Sequence, residues 1–191
     1  MDARKLARVL MMLGPLAFPA FHVVVLASAA RNPWFDFYRH AFSDLGAARA
    51  TDPWIYNYGL IVLGAMMCLF SLGLLLASRS KGAAFACGLY FVSGIFLALV
   101  GVYPGGTRPH TFVSTWFYVQ SFLASTALGL ALLAEKRRTP GIVLLLLGLL
   151  PTPLGYLVEA TVRWPSVAVA EYVGAVVIAV GALIAVAAHW R

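Results

Sequence analysis

The stretch WIYNYGLIVLGAMMCLFSLGLLLAS, residues 54–78, decides the fold because it carries no charged side chain. A helix needs roughly 20 apolar residues to cross a hydrocarbon core about 30 Å thick. Five further stretches meet this requirement: residues 9–30, 82–102, 111–134, 141–158 and 167–188. Only short tails and loops remain outside them. We therefore predict an all-α polytopic membrane protein, a compact six-transmembrane-helix bundle that forms one domain over residues 1–191.

The composition supports a membrane protein and excludes several other classes. Of the 191 residues, 62% are hydrophobic and 11% are charged, and the mean hydropathy is +0.87. A soluble domain has about 25% charged residues, so a soluble enzyme, a disordered chain and a disulfide-held secreted module are excluded. The formal charge is +7, but the basic residues lie in short clusters between apolar runs. We therefore expect no nucleic-acid partner.

The basic residues also predict the orientation of the chain in the membrane. Nine of the 14 lie on the side of the amino terminus: Arg4, Lys5, Arg8, Arg79, Lys81, Lys136, Arg137, Arg138 and Arg191. The others lie on the opposite side: Arg31, Arg39, Arg49, Arg108 and Arg163. Because cytoplasmic loops carry the excess of Lys and Arg, we predict a cell-membrane protein with both termini in the cytoplasm. The first apolar run exceeds the roughly 7–15 residues of a secretory signal, so we expect that span to be retained.

Glycines recur every seven residues in the last two predicted spans. They are Gly141, Gly148 and Gly155 in the fifth span, and Gly174 and Gly181 in the sixth. Two helical turns take about 7.2 residues, so each set returns to nearly the same face. Small residues let helices in lipid approach closely, and we therefore expect the last two spans to be close neighbours.

Two of the spans contain a pair of prolines, Pro15 and Pro19 in the first and Pro151 and Pro153 in the fifth. Each proline removes a backbone donor and frees a carbonyl four residues earlier. Neighbouring helices can satisfy the freed groups, or the kink can open a cavity at mid-depth. The sequence leaves both interpretations open.

Polar side chains concentrate in the half of the bundle opposite the amino terminus, whereas the other half is mostly Leu, Val, Ala and Gly. Ionisable groups within spans are costly and face the bundle interior or water. We therefore predict an outward-facing polar pocket. The residues that could line it are His22, Asp36, His40, Ser43, Asp44, Asn57, Tyr103, His110, Ser114, Tyr118, Gln120, Tyr156, Glu159, Arg163, Glu171 and Tyr172.

Three features of this set have both a structural and a functional interpretation. His22 either bonds to a neighbouring tyrosine or backbone carbonyl, or has a functional role. Glu159 and Arg163 are four residues apart, a spacing that favours an ion pair at the membrane interface. A polar stripe on the fourth span either holds helices together or lines a cavity. It consists of His110, Ser114, Tyr118, Ser121 and Ser125.

The longest loop, residues 31–53, places Asp36, His40 and Asp44 four residues apart. Histidine and carboxylate side chains can bind zinc, but no His-x-x-x-His or Glu-x-x-His spacing anchors such a site. Haem would need matched histidines on facing helices, and only His22 lies well within a span. The sequence also lacks a P-loop and a dinucleotide fingerprint. We therefore expect neither a bound metal nor a cofactor.

Four segments have a recognisable pattern: FSDLG (42–46), WIYNYGLI (54–61), ALVGVYP (98–104) followed by His110 and Ser114, and AVAEY (168–172). Over nearly its whole length the chain resembles a family of small prokaryotic membrane proteins catalogued as domain of unknown function 998. Where that family leads us to expect proline before Glu171, this chain has Ala170. The resemblance implies six spans and no particular activity. The positions that match family motifs are Ser43, Asp44, Asn57, His110 and Glu171.

Three functional hypotheses follow. The leading one is a non-catalytic protein that interacts with membrane lipid, or an accessory subunit that binds other membrane subunits or a second copy of itself. The second is an outer-leaflet lipid hydrolase or acyl-transfer enzyme, in which His110 is the general base, Asp44 orients it or binds metal, and Ser43 or Ser114 is the nucleophile. The third is a small-solute transporter, which the paired prolines favour weakly.

Overall fold

The computed structural model describes residues 2–190, which fold into seven α-helices and one short 3-10 helix. Their bounds are α1 Ala3–Arg31, the 3-10 helix Phe42–Gly46, α2 Pro53–Ala77, α3 Lys81–Val102, α4 His110–Ala134, α5 Arg138–Leu149, α6 Pro151–Thr161 and α7 Val167–His189. Counting α5 and α6 together, six segments are long and apolar enough to cross a membrane. The protein is therefore an all-helical multi-pass membrane protein. Arg191, counted above among the basic residues, lies outside the described residues.

Several helices begin where a polar side chain satisfies a free backbone N–H group. Asp2, Ser80 and Ser166 have extended backbones, and each side chain accepts a hydrogen bond from an N–H group two or three residues further on. Pro53 is the first residue of α2, where its missing N–H costs nothing and its fixed φ suits the helix. These caps fix the start of α7 in particular, which positions the site described below.

The fifth predicted span is broken at Leu150 into α5 and α6. Pro151 and Pro153 cannot donate hydrogen bonds to the carbonyls four residues before them, so the helix ladder is interrupted there. Leu150 itself keeps a right-handed helical conformation, and the break is therefore a kink in one span. The prolines of the first span have a different outcome, because Pro15 and Pro19 lie inside the continuous helix α1.

Helices α1 to α5 each pack against the next in the chain, and α7 closes the bundle against α1. Glycines bring some of these neighbours into backbone contact. A Cβ atom built on Gly64 of α2 would lie 2.5 Å from the backbone nitrogen of Ala98 in α3. On Gly129 of α4 it would lie 2.6 Å from the nitrogen of Leu145 in α5. These crossings depend on the absence of a side chain.

The glycines of the fifth span face α4 and not α7. Gly141 packs against Leu133, and Gly148 packs against Thr126, both on α4. Gly155 has no neighbouring heavy atom within 4 Å of the position that its Cβ would take. The last two spans do contact each other, since α7 meets both α5 and α6 and Leu144 of α5 lies 3.8 Å from the position that a Cβ atom on Gly181 of α7 would take. The glycine repeat of the fifth span nevertheless serves its packing on α4, because a repeat of small residues does not specify which helix it meets.

One end of the bundle, here called the basic end, carries the start of α1, the end of α7 and the short α2–α3 and α4–α5 connections. The guanidinium of Arg8 lies over the ring of Trp190, 5.6 Å from its centroid. Ser80 donates a hydrogen bond to Glu135 over 2.6 Å, which joins the two connections. Because the number of spans is even, the start of α1 and the end of α7 lie at the same end of the bundle.

The opposite end, here called the loop end, is covered by the long loop between α1 and α2. The side-chain amide of Asn32 donates a hydrogen bond to the backbone carbonyl of Thr51 and accepts one from the N–H of Thr51. These two bonds tie the two ends of the loop together. Asp52 forms an ion pair with Arg31 over 2.7 Å and accepts a hydrogen bond from Trp54. These hydrogen bonds lower the pKa of Asp52 below its usual range, and the bond from Arg31 has a larger effect than the bond from Trp54.

Candidate functional site

The site centres on Glu171, which lies in the second turn of α7 near the loop end. Ser166 caps α7 and also donates a hydrogen bond to the carbonyl of Phe37 over 2.6 Å. The N–H of Ala168 donates to the carbonyl of His40 over 3.0 Å. These bonds fix the start of α7 against the long loop. Glu171 lies four residues beyond Val167, which is roughly 6 Å along the helix axis.

The Glu171 carboxylate contacts the start of the 3-10 helix. Its Oε2 atom accepts a hydrogen bond from the N–H of Phe42 over 3.0 Å. Among the described residues the ion pairs are Arg31–Asp52, Arg39–Asp36 and Arg49–Asp44, and none of them includes Glu171. The partly buried carboxylate therefore has a backbone donor but no basic side chain within ion-pair distance.

The first cavity beside Glu171, here called the inner cavity, has a volume of about 90 Å³ and lies within the bundle. Six aromatic rings from α1, the 3-10 helix, α2 and α4 line it together with Ser114 and apolar side chains. The rings belong to Phe18, Phe21, Phe42, Tyr56, Phe117 and Tyr118. The inner cavity is thus a mostly apolar, aromatic space with one carboxylate at its wall.

The second cavity, here called the groove, has a volume of about 770 Å³ and lies between α4, α5, α6 and α7. Its lining is mostly apolar and includes Leu146, Leu150 and Leu154 on one side and Val173 and Val177 on the other. The break at Leu150 therefore lies in the wall of a cavity. For Pro151 and Pro153 the structure therefore fits the interpretation in which the proline kink opens a cavity.

Tyr118 and Glu171 line both cavities and separate them. The Tyr118 ring packs on Gly174, where a Cβ atom would lie 2.6 Å from Cε1 of the ring. Its hydroxyl donates a hydrogen bond to the backbone carbonyl of Glu171 over 3.0 Å. Any side chain at position 174 would push the ring away, so glycine is what allows α4 and α7 to meet here.

His22 and Tyr172 form a second polar contact beside the inner cavity. Nδ1 of His22 lies 2.9 Å from the carbonyl of Phe18, and because a carbonyl only accepts, Nδ1 carries the proton. Nε2 lies 3.1 Å from the hydroxyl of Tyr172 and accepts from it when the ring is neutral. His22 thus has both partners of the structural interpretation, a tyrosine and a backbone carbonyl.

The residues of the enzyme hypothesis are held by separate local contacts. His110 donates through Nδ1 to the carbonyl of Tyr103 over 2.8 Å, and Ser114 donates to the carbonyl of Thr111. Asp44 accepts from the N–H of Ala41. Across residues 2–190, no side-chain hydrogen bond joins His110 to Asp44, Ser43 or Ser114. A general base needs such contact, direct or through water, with the proton it removes.

Of the three loop residues spaced four apart, Asp36 and His40 contact each other, whereas Asp44 has other partners. The N–H of Asp36 donates to Nδ1 of His40 over 2.9 Å, whereas Asp44 pairs with Arg49 over 2.9 Å. The described part of the chain contains no group of three or more His, Cys, Asp or Glu side chains able to hold a metal ion.

Three predicted pocket residues near the end of α6 lie on the surface, outside both cavities. Tyr156 is 76% exposed, and Glu159 and Arg163 are exposed as well. The expected Glu159–Arg163 ion pair is absent from residues 2–190, because α6 ends at Thr161 and Arg163 has a left-handed backbone with φ of 61°. Glu159 instead accepts a hydrogen bond from the N–H of Trp164.

The other predicted residues have local structural roles or lie elsewhere. Asn57 donates to the carbonyl of Gly46 over 3.0 Å, which holds the 3-10 helix against α2. Gln120 lies on α4 with its Oε1 atom buried and without a hydrogen-bond partner, and it lines neither cavity. Of the predicted pocket residues, Ser114, Tyr118 and Glu171 line the inner cavity, and the last two also line the groove.

The aromatic lining was missed at the sequence level. Phe18 and Phe21 are three residues apart on α1, and Phe117 is three residues after Ser114 on α4, so each pair shares a helix face. This spacing was the only signal, and it is indistinguishable from that of lipid-facing aromatic residues.

Comparison with known proteins gives a family and no function. No curated protein and no solved structure matches the chain. A family described as protein of unknown function, DUF998, matches residues 15–189, which confirms the resemblance seen in the sequence motifs. The chain belongs to the DUF998 family.

Proposed function

We propose that this protein binds a membrane lipid and that one acyl chain of the lipid occupies the groove. The observation that carries the proposal is the groove itself, a mostly apolar cavity of about 770 Å³ between α4, α5, α6 and α7. A saturated or singly unsaturated chain is chemically matched to such a lining.

The groove is deep enough for an acyl chain that enters from the loop end. On α7 its lining residues run from Val167 to Val177, a rise of roughly 15 Å at 1.5 Å per residue. On α5 and α6 they run from Val143 to Val158, a rise of roughly 22 Å. Since the hydrocarbon core of a bilayer is about 30 Å thick, the groove extends from the loop end past the midplane.

The side chains of the groove support occupation by a chain. Leu146, Leu150 and Leu154 line it and are exposed, so the polypeptide alone leaves their surfaces uncovered. An empty space beside an apolar side chain forfeits dispersion contacts. A lipid chain restores those contacts, which matters in a bilayer because water exclusion contributes little to association there.

The polar end of the groove gives the lipid a direction. Trp164 lines the groove at the loop end, and its indole N–H donates to the carbonyl of Gly155 over 3.3 Å. Tryptophan favours the headgroup level of a bilayer. Because the basic end carries the excess of Lys and Arg, we further propose that it faces the cytoplasm of the cell, with both termini there. The bound lipid then belongs to the outer leaflet.

The other hypotheses have less support. The enzyme hypothesis requires His110 to act on a serine, yet the polar partner of its Nδ1 atom is a backbone carbonyl. The transporter hypothesis requires a polar route through the basic half, where the core is closed by Phe70, Leu74, Leu128 and Leu132, all fully buried.

Photo-cross-linking tests the proposal. The purified protein is reconstituted in vesicles of phosphatidylethanolamine and phosphatidylglycerol that contain a phospholipid with a diazirine in its acyl chain, and labelled peptides are mapped. We expect labels to concentrate in residues 143–158 and 167–177. Labels spread evenly over all lipid-facing helix surfaces would contradict lipid binding in the groove. So would a groove that stays unlabelled because a second copy of the chain or another membrane subunit covers it.

A matched pair of variants gives the control. Gly155→Leu places a side chain into the groove, and Gly88→Leu places the same side chain on the exposed face of α3. In both cases nothing lies within 4 Å of the new Cβ atom. The leucine side chain fills space that the lipid chain would otherwise occupy, so the chain loses its dispersion contacts with that part of the groove. Groove labelling should fall in Gly155→Leu and stay unchanged in Gly88→Leu.

A further inference from the structure

The Glu171 carboxylate has unused capacity as a hydrogen-bond and ion-pair acceptor. Only Oε2 has a partner among the described residues, the N–H of Phe42. Arg49 of the long loop pairs instead with Asp44, over 2.9 Å. A carboxylate in an apolar space is costly unless a cation or several donors compensate it. A ligand that supplies positive charge would therefore be stabilised here.

The walls of the inner cavity favour the same kind of ligand. Its aromatic residues are Phe18, Phe21, Phe42, Tyr56, Phe117 and Tyr118. The faces of aromatic rings carry negative electrostatic potential and attract organic cations, as in cages that bind quaternary ammonium groups. A cage of rings with one carboxylate at its wall provides both the apolar contact and the counter-ion for such a group.

The size of the inner cavity limits the ligand to a small group. A volume of about 90 Å³ corresponds to roughly six to nine water-sized spheres, enough for an ammonium group with a few attached carbons. A transition metal would need several protein ligands, and the described residues bring no three such side chains together. An anion would be repelled by Glu171.

We propose that the inner cavity is a binding site for an organic ammonium ion, with Glu171 as its counter-ion and the aromatic rings as its walls. The site is distinct from the chain-binding groove, although Tyr118 and Glu171 border both. The ammonium group belongs either to a free small amine or to the headgroup of a lipid whose chain lies in the groove.

Choline and its neutral isostere 3,3-dimethyl-1-butanol distinguish charge from shape. Binding of each to the purified protein in an uncharged maltoside detergent is measured by calorimetry. We expect choline to bind about tenfold more tightly than the isostere, because only choline gains from the carboxylate and the ring faces. Equal affinities, or no binding of choline, would overturn the assignment of the site.

Glu171→Gln tests the counter-ion directly. The amide oxygen of glutamine can still accept the hydrogen bond from the Phe42 N–H, so the contact between α7 and the 3-10 helix is kept. Choline affinity should fall about tenfold and the preference over the isostere should disappear. Glu159→Gln, the same change at an exposed position on α6, should leave both affinities within a factor of about two. An unchanged preference in Glu171→Gln contradicts the proposal.

Phe117→Leu provides a second test if Glu171→Gln does not fold. It keeps an apolar side chain of similar size and removes one ring face, so choline should lose affinity while the isostere does not. An equal loss for both ligands would contradict a cation-binding role for the ring.

Dodecyltrimethylammonium identifies the source of the ammonium group. If it binds more tightly than choline and Gly155→Leu removes that gain, the ion is a lipid headgroup with its chain in the groove. If choline binds as tightly as dodecyltrimethylammonium and Gly155→Leu changes neither affinity, the ion is a free amine. Both results support the inner site, whereas groove labelling without any preference for choline would overturn it and leave lipid binding in the groove intact.

Discussion

Tyr118 separates the inner cavity from the groove, and two substitutions at this position distinguish the role of its hydroxyl from that of its ring. Tyr118→Phe removes the hydrogen bond to the carbonyl of Glu171. That carbonyl lies within α7, where helix geometry provides another donor four residues on, so no group is orphaned. Hydrogen bonds between membrane helices average about 0.6 kcal/mol, and we expect a loss of that size in the free energy of unfolding.

Tyr118→Ala removes the ring itself and joins the two cavities. Truncating a packed aromatic side chain to alanine costs about 3–5 kcal/mol. Because the ring already borders open space on two sides, the cost should lie at the lower end, about 3 kcal/mol. The ring therefore contributes several times more to stability than its hydroxyl does.

Unfolding of the two variants in mixed micelles of maltoside and dodecyl sulfate, followed by circular dichroism, measures these differences. The expected order of stability is wild type, then Tyr118→Phe slightly lower, then Tyr118→Ala far lower. If the phenylalanine variant lost as much as the alanine variant, the hydrogen bond would be the main contribution and the description of the ring as a packed partition would be refuted.

Three further predictions concern packing, the loop end and orientation. Gly64→Ala should lower the free energy of unfolding by about 1–3 kcal/mol, because the new Cβ meets the backbone of α3, whereas Gly88→Ala, which faces open space, should not lower it. Asp52 has a lowered pKa, so its contribution to stability is present above 3.8, the ordinary pKa of an aspartate carboxyl, and is lost as the pH falls below that value toward the pKa in the folded protein. The difference in melting temperature between wild type and Asp52→Asn should therefore shrink below pH 3.8; a constant difference would contradict the ion pair. In a background lacking native cysteines, an impermeant maleimide should label Tyr38→Cys on intact cells and Lys81→Cys only after permeabilisation, and the reverse pattern would contradict the proposed orientation.

The helices could be predicted from the sequence because membrane spans are decided by local composition. A run such as residues 54–78 has one stable state in lipid, a helix with all backbone bonds internal, and α2 begins and ends within one residue of that prediction. The break at Leu150 could not be predicted in the same way. Paired prolines leave α1 continuous and interrupt the fifth span, so the presence of two prolines does not by itself specify a break.

The candidate site was only partly predictable. Glu171 and Tyr118 stood out because polar groups in apolar runs are costly and therefore informative. Phe18 and Phe21 did not, since an aromatic ring facing a cavity has the same sequence signature as one facing lipid. His110 and Asn57 also attracted attention, but their polar atoms bond to nearby backbone carbonyls, a use that a sequence pattern cannot distinguish from a functional one.

Native mass spectrometry of the protein released from its own membranes tests lipid binding in the groove most directly. The account predicts that wild type and Gly88→Leu each retain one lipid molecule under activation that strips the surrounding detergent, and that Gly155→Leu loses it. Wild-type protein that carries no lipid, or a Gly155→Leu variant that retains as much lipid as Gly88→Leu, would contradict the account.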